Sequence, residues 1–233
     1  MIEKWTKDRI AKHIQFTNVN PDLDLAGIKE HLRSCVEYGF QAAMISPCWV
    51  RLAKQSLAGS GVRIATTVNF PQATDTAEMK VAVLRILAKE GADEFDFPPN
   101  PAFLLSGMDE EYFREIETVS AAAHREGLVV KAMLEFGYFP AAAMKAKATQ
   151  LASRAGVDWV KNSSGWGKGG SAATVEDVVI LKANVAGPCR VKVSGKVNSL
   201  AKMDALFEAG AELVGTSSGP AIVDGGMGDA SAY

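Results

Sequence analysis

The 233-residue chain lacks the features that mark several common classes of protein. Its three cysteines, Cys35, Cys48 and Cys189, are an odd number without metal-type spacing, which argues against a disulfide framework and favours a reducing cytoplasm. The formal net charge of −2 gives no electrostatic basis for binding nucleic acid or an anionic membrane. No apolar run approaches the ~20 residues of a membrane span. The first ten residues carry charges throughout, which is unlike a signal peptide.

Strand-like and helix-like segments alternate along the chain, and 48% of the residues are hydrophobic. Amphipathic stretches with helical spacing separate eight strand candidates. Three of the predicted helix exits repeat one glycine-containing joint before an apolar strand, at residues 90–94, 155–159 and 209–213. The predicted strands cover residues 13–18, 41–46, 62–70, 94–97, 129–136, 159–164, 190–194 and 213–217.

Eight strands with intervening helices predict a single-domain α/β fold, a closed (β/α)8 TIM barrel over residues 1–223. The alternative is a doubly wound open sheet, but no glycine-rich dinucleotide fingerprint follows the first strand. Residues 224–233 are rich in glycine, so we expect a flexible C-terminal tail. Among the helix starts, Asp22, Thr174 and, before Leu200, Asn198 and Ser199 are the expected N-caps.

Two lysines lie inside short apolar strand candidates that end in Ser and Gly: Lys161 and Lys192. Such strands are buried on both faces, where lysine is rare unless it is paired or functional. On adjacent strands the two ammonium groups would repel each other. At ~5 Å and an effective dielectric of ~20 the repulsion is roughly 3 kcal/mol. This lowers one pKa by about two units from about 10.4.

A neutral lysine can attack a carbonyl and form an imine, which makes an adjacent C–C bond breakable without a metal or cofactor. The strand ends would surround such a site with Thr17, Cys48, Asp96 and Glu135. The segment from Gly215 to Gly219 could supply backbone N–H groups to an anion. Other readings stay open: each lysine could form a structural ion pair with a carboxylate, the glycine segment could be only a turn, and Cys48 an ordinary thiol.

The chain resembles the deoxyribose-phosphate aldolase family, which consists of Schiff-base aldolases on a (β/α)8 barrel. The resemblance runs over nearly the whole chain, and its motifs are specific only in combination. They are ISPCWV at 45–50, GADEFDF at 91–97, GVDWVKNSSG at 156–165, TVEDV at 174–178, VKVSG at 191–195 and VGTSSGPAIV at 214–223.

The resemblance implies that 2-deoxy-D-ribose 5-phosphate is cleaved reversibly to D-glyceraldehyde 3-phosphate and acetaldehyde. It implies that Lys161 forms the imine, with Lys192 and Asp96 handling protons. The terminal Tyr233 could assist the proton step at the enamine carbon. The residues implied for phosphate binding, with the adjacent lysine that could add charge, are Gly165, Gly195, Lys196, Gly215, Ser217 and Ser218.

Several positions depart from the family pattern. Gln15 stands on the first strand where many members carry aspartate, and Lys196 follows Gly195 where a second glycine is usual. Pro98-Pro99 and extra residues after Trp166 are also atypical. The alternatives are a transaldolase-like or keto-acid lyase with another donor, or a non-catalytic barrel that binds a sugar phosphate. The expected partners are a phosphorylated sugar and aldehydes, and a homodimer is expected.

Overall fold

The computed structural model describes residues 5–229, whose strands form one closed parallel barrel in the order β1 to β8. Its last strand pairs with the first, Gln15 lying beside Gly215. This closure confirms the predicted TIM barrel and rules out the open sheet. All eight predicted strands are present, several of them shorter than expected: β1 (Ile14–Asn18), β2 (Ala42–Ile45), β3 (Arg63–Thr67), β4 (Glu94–Phe97), β5 (Val129–Met133), β6 (Trp159–Lys161), β7 (Arg190–Ser194) and β8 (Leu213–Thr216).

Helices surround the barrel, and 3-10 turns at Pro47–Trp49 and Phe136–Tyr138 follow β2 and β5. Among the described residues none of these helices is both long and apolar enough to cross a lipid bilayer. The α-helices are α1 (Lys7–Ala11), α2 (Leu25–Tyr38), α3 (Val50–Ser56), α4 (Ala77–Glu90), α5 (Pro101–Leu105), α6 (Asp109–Arg125), α7 (Ala142–Arg154), α8 (Val175–Asn184), α9 (Leu200–Glu208) and α10 (Gly219–Val223).

The helix ends follow local rules that the sequence already suggests. The side chain of Thr174 accepts a bond from the backbone N–H of Asp177, and Ser199 caps α9 in the same way, as predicted. The expected cap Asp22 is wrong, because Asp24 accepts from the N–H of Gly27 at the start of α2. Gly39 ends that helix with a φ of 66°, a conformation that favours glycine.

The barrel interior is divided into two unlike halves. Small or apolar side chains from β2 and β3 (Ala42, Met44 and Ala65) cluster with Val19 on one side. On the other side the inward positions of β4 to β7 carry buried lysines and carboxylates. The apolar faces of the strands point outward to the helices and form the main core. Burying charged side chains inside an apolar barrel costs folding free energy, which indicates that these side chains have a function.

Residues 224–229, the described part of the assigned tail, lie against the barrel. Asp224 accepts hydrogen bonds from Lys7 Nζ and from the Tyr38 hydroxyl. Met227 forms an antiparallel bridge with Ser199, and the Gly228 N–H donates to the carbonyl of Asn198. The remaining tail residues, including Tyr233, lie outside the described residues.

A buried ion pair lies outside the barrel, between α4 and α6. Lys80 contacts Glu115, and both side chains are almost fully buried. Lys80 Nζ also donates to the carbonyls of Ala73 and Pro98, while Glu115 accepts from the Asn100 N–H. The pair thus ties the loops after β3 and β4 to the helices behind them.

Glu115→Ala should lower the free energy of unfolding by about 3–5 kcal/mol, because it leaves the Lys80 ammonium buried without its counter-ion. Urea titration followed by circular dichroism measures this change. Arg114→Ala, which breaks the exposed pair between Arg114 and Glu110 on the same helix, is the matched control and should cost less than about 1 kcal/mol. Equal losses in the two variants would contradict a structural role for the buried pair.

Candidate active site

The strand register places the two predicted lysines side by side. Lys161 on β6 and Lys192 on β7 are direct Cα partners, and the side chains of both are buried. Asp96 reaches them from β4: its Oδ2 lies 3.1 Å from Lys161 Nζ and 2.6 Å from Lys192 Nζ. The two ammonium groups therefore share one carboxylate oxygen inside the barrel.

Three further buried side chains join this group: Gln15, expected from the sequence at the end of the first strand, and Lys131 and Glu94, which were assigned no role. Lys131 on β5 contacts Glu94 and lies 3.3 Å from Asp96 Oδ1. Gln15 on β1 accepts a 2.5 Å bond from Lys192 Nζ and donates a 2.7 Å bond to Glu94 Oε2. Together they form a closed ring of side chains, which we call the barrel ring: Gln15, Lys192, Asp96, Lys131 and Glu94.

The barrel ring changes the ionisation of its members. Burial works to raise the pKa of Asp96, but Lys192, Lys161 and Lys131 outweigh it and hold that pKa well below its usual range. The pKa of Glu94 is also lowered, because Lys131 and Arg63 outweigh the effect of burial. Burial lowers the pKa of Lys192 well below its ordinary value; Lys161 and Lys131 lower it further, and Asp96 opposes them.

The sequence contains a usable signal for Lys131. It lies in the middle of an apolar strand, as Lys161 and Lys192 do, so the reasoning applied to those two residues also selects it. Glu94 and Asp96 are two residues apart on the four-residue strand β4, and this spacing puts both side chains on the same face. What no local pattern gives is the set of contacts across the barrel that joins them to Gln15.

Glu135 supports a loop and lies beside the lysines. It follows β5 with a φ of 52° and is buried. Its carboxylate accepts from the Ser164 N–H at 3.1 Å and from the Ser163 hydroxyl at 3.4 Å. Burial raises the pKa of Glu135, against the lowering effect of the Ser164 bonds and of Lys161. Glu135 therefore holds the loop that follows Lys161.

The candidate phosphate residues lie at the carboxyl ends of β6, β7 and β8. Gly195 has a φ of 105°, and a Cβ there would lie 2.2 Å from the Ser171 carbonyl oxygen, so only glycine fits. A Cβ on Gly215 would lie 3.3 Å from Ser194 Cβ and 3.4 Å from Lys192 Cε, so a larger residue would crowd this lysine. Gly165 is exposed, and its N–H donates to the Ser163 hydroxyl.

Lys196, Ser217 and Ser218 lie on the same rim. The exposed Lys196 has a φ of 52°, and its carbonyl accepts a 2.6 Å bond from Lys202 Nζ. Burial and then the charge of Lys196 lower the pKa of Lys202, so two cations lie near each other there. Ser218 is covered by the tail, since a Cβ on Gly228 would lie 2.2 Å from its hydroxyl oxygen.

The auxiliary residues are divided between two sides of the barrel mouth. Thr17 points inward and lies 3.7 Å from the Cβ position of Gly215, so it borders the Lys192 side. The exposed Cys48 follows β2, across the barrel from the lysines. It lines a cavity of about 350 Å³ together with Val19, Trp49, Thr67 and Phe70.

No cluster of three metal-ligating His, Cys, Asp or Glu side chains occurs within residues 5–229. The polar groups of the site are instead lysines, carboxylates, one amide and hydroxyls. Ammonium groups cannot bind a cation, so this set suits organic carbonyl chemistry with amine nucleophiles better than metal chemistry.

Comparison with known proteins agrees with this geometry. Residues 11–225 match the DeoC/LacD family of aldolases, and the chain belongs to that family. It is therefore an enzyme, a lyase of the aldolase type. Two relatives are deoxyribose-phosphate aldolases: one from Thermococcus gammatolerans is 38% identical and covers 93% of this chain and 96% of its own length. One from Thermoanaerobacter sp. is 39% identical and covers 92% and 96% respectively.

A solved structure gives the same picture. The deoxyribose phosphate aldolase from Aeropyrum pernix, described as a unique tetramer, superposes with a TM-score of 0.85 at 25% identity, covering 94% of this chain and 91% of that one. The resemblance to the deoxyribose-phosphate aldolase family that the sequence motifs carried is thereby confirmed.

Glu135→Gln should reduce the dependence of stability on pH. A carboxyl group whose folded pKa is raised costs stability once pH exceeds its unfolded pKa, and that cost is full above its folded pKa. The amide keeps an acceptor for the Ser164 N–H and does not titrate. We expect the variant to gain stability relative to wild type as pH rises from 4 to 7.5, as measured by urea unfolding. A constant difference between the two proteins across this range would contradict the assignment.

Proposed function

We propose that this chain is a class I aldolase that reversibly cleaves 2-deoxy-D-ribose 5-phosphate to D-glyceraldehyde 3-phosphate and acetaldehyde, through an imine on Lys161. The observation that carries the proposal is the shared Asp96 oxygen, which holds two buried lysines together in a chain of the DeoC/LacD aldolase family. Membership in that family and the names of the relatives support the substrate.

The charge balance favours a neutral amine. Three buried lysines (Lys131, Lys161 and Lys192) face two buried carboxylates, Asp96 and Glu94. If all five groups were ionised, one positive charge would remain in a low-dielectric interior, where an uncompensated charge is expensive. Loss of one lysine proton removes this excess. The low pKa values of both carboxylates mean that they do not take part in the adjustment at neutral pH.

The chemistry follows from a neutral Lys161. Its Nζ attacks the C1 aldehyde of the open-chain sugar, and the carbinolamine loses water to give a protonated imine. Removal of the proton from the C3 hydroxyl lets the C2–C3 bond break. The bonding pair then moves into the iminium to give an enamine, and glyceraldehyde 3-phosphate departs. Protonation of the enamine at C2 and hydrolysis of the imine release acetaldehyde and restore Lys161.

Lys192 and Asp96 are placed to move the protons. Asp96 Oδ2 contacts both lysines, so a proton can pass between them through hydrogen bonds of 2.6 and 3.1 Å. Burial lowers the pKa of Lys192 well below its ordinary value, so this amine releases its proton more readily than an exposed lysine does. Thr17, whose Oγ1 lies 3.7 Å from the Cβ position of Gly215, is proposed as an auxiliary polar contact.

The phosphate group is assigned to the rim formed by Gly165, Gly195, Gly215, Ser217 and Ser218. Glycines let the backbone approach an anion closely, and Lys196 with the neighbouring Lys202 supplies positive charge. Glu135 supports this rim by holding the Ser163–Ser164 loop. Cys48 and Tyr233 remain auxiliary candidates, the former across the barrel mouth and the latter outside the described residues.

We further expect the enzyme to act in the cytoplasm. The three cysteines are an odd number without the pattern of a disulfide framework, as is usual in a reducing compartment. A homodimer is the proposed assembly, although the relative from Aeropyrum pernix is described as a tetramer.

Trapping with acetaldehyde and borohydride tests the imine. We expect reduction to leave one ethyl group on Lys161, located by peptide mass spectrometry, because Lys192 Nζ is held more closely by Asp96, at 2.6 Å against 3.1 Å for Lys161. Lys161→Ala should lose the adduct and at least ~10⁴-fold of the cleavage rate, since no other nucleophile replaces it. Lys145→Ala, which removes a partly exposed lysine paired with Asp177, is the matched control and should keep both.

An adduct confined to another lysine, or retained activity in Lys161→Ala, would sink the assignment. An adduct on Lys161 without cleavage of deoxyribose 5-phosphate would instead indicate a lyase that uses another donor. Absence of both activity and adduct would point to a barrel that only binds a sugar phosphate.

Comparison of phosphorylated and unphosphorylated substrate tests the rim. For deoxyribose 5-phosphate, Lys196→Ala should raise KM roughly tenfold, because one charge-assisted contact contributes about 1.5 kcal/mol. For 2-deoxyribose the same variant should leave KM within about twofold. Lys168→Ala is the control, since Lys168 is also exposed, on the loop after β6. Steady-state kinetics with both substrates decides, and equal effects on the two would argue against phosphate binding at Lys196.

A further inference from the structure

Gln15 is an uncharged member of a ring that otherwise consists of charged side chains. It is fully buried, and all of its hydrogen-bonding capacity but one lone pair is used. The oxygen Oε1 accepts from Lys192 Nζ at 2.5 Å. The nitrogen Nε2 donates to Glu94 Oε2 at 2.7 Å and to Gln41 Oε1 at 2.8 Å.

These partners fix the orientation of the amide. A rotated amide would place an NH₂ group against the Lys192 ammonium and an oxygen against the Glu94 carboxylate, and both contacts would be repulsive. Glu94 is held in place independently, with Lys131 on one oxygen and Arg63 at 3.0 Å from the other. The fixed Glu94 carboxylate therefore holds Gln15 in place, so that Gln15 Oε1 accepts from Lys192.

We infer that Gln15 is a positioning residue that holds Lys192 against Asp96. Because Gln15 carries no charge, it does not offset the third ammonium group, and the lysines therefore lose one proton more easily. The inference rests on the proposed function of Lys161 and Lys192. A carboxylate at the same place would bind Lys192 as well or better, but it would balance the third ammonium group. All three lysines would then hold their protons to higher pH.

The charged groups that face Gln15 and Lys192 come from five strands: Arg63 on β3, Glu94 and Asp96 on β4, Lys131 on β5, Lys161 on β6 and Lys192 on β7. Glu135 lies beyond Lys161 at the rim and is coupled to it. Gln15 contacts Lys192 directly, so a change of charge at position 15 acts on the lysine pair at short range.

Two variants of similar size test the inference through the pH dependence of kcat/KM, whose acid limb reports the free enzyme's essential base. For Gln15→Glu we expect the acid limb to move to higher pH by about one unit or more, because an opposite charge within a few ångströms favours the protonated lysine. At pH values above the new limb the rate should recover to within about threefold of wild type.

For Gln15→Met we expect the limb to move in the opposite direction, to lower pH, because Lys192 loses an acceptor that favours its charged form. The kcat/KM of Gln15→Met should also fall about tenfold or more at every pH, because Lys192 is no longer held against Asp96.

Gln41→Met is the matched control. Gln41 also bonds Glu94, at 3.0 Å, and accepts from Gln15 at 2.8 Å, so its effect on Lys192 is transmitted through Gln15. Its acid limb should stay within about 0.3 units of wild type.

Limb shifts in opposite directions for Glu and Met support the inference, since a packing defect lowers the rate without moving the limb. An unmoved limb in Gln15→Glu, or shifts in the same direction in both variants, overturns it. If circular dichroism shows that one variant is unfolded, the direction in which the acid limb of the other variant moves still tests the inference. Borohydride trapping on wild-type Lys161 separates the two proposals: with no adduct the proposed function fails, whereas with an adduct and no limb shift only the role of Gln15 fails.

Discussion

The site depends on one constraint, which is that two ammonium groups share a single carboxylate oxygen where water cannot screen them. Asp96 Oδ2 contacts Lys161 and Lys192 on neighbouring strands, and all three side chains are buried. At low effective dielectric these charges interact over the whole ring, so the protonation of one lysine depends on every other member. The proposed reactivity of Lys161 therefore depends on the whole barrel ring beside it and not on Lys161 alone.

The barrel can accommodate these buried charges because its apolar outer layer separates them from the surface. The outward faces of the same strands are apolar and pack on the helices, so folding is driven by the outer layer. Inside, Ala42, Met44 and Ala65 fill the opposite half with small or apolar side chains, which keeps the local dielectric low. The buried charges cost folding free energy, and they are held only because each has at least one partner of opposite sign or a polar amide. Stability is provided by one face of each strand and chemistry by the other.

Most of the fold and part of the site could be read from the sequence. Alternating apolar segments and repeated glycine joints predicted eight strands, and Lys161 and Lys192 were selected because lysine is rare in such strands. Local capping was harder, since Asp22 and Asp24 are both plausible caps and only the helix start at Leu25 decides. Lys131 satisfied the same criterion as the other two lysines. Lys80 lies in a helix, outside that strand criterion, although its spacing from the buried Leu84 and Leu87 puts it on the same helix face.

The contacts of Gln15 could not be predicted, because they depend on how the barrel closes. Residues 15, 94 and 192 are far apart in sequence, and only the register of β1 with β8 brings them together across the interior. From the sequence alone, Lys161 and Lys192 are expected to repel each other. In the structure Asp96 stands between them and offsets that repulsion. Since a pair with its own counter-ion can remain fully charged, repulsion between two lysines is not sufficient to free a proton. Together with Lys161, the barrel ring sets three lysines against two carboxylates and the uncharged Gln15, and this excess of one positive charge favours a neutral amine.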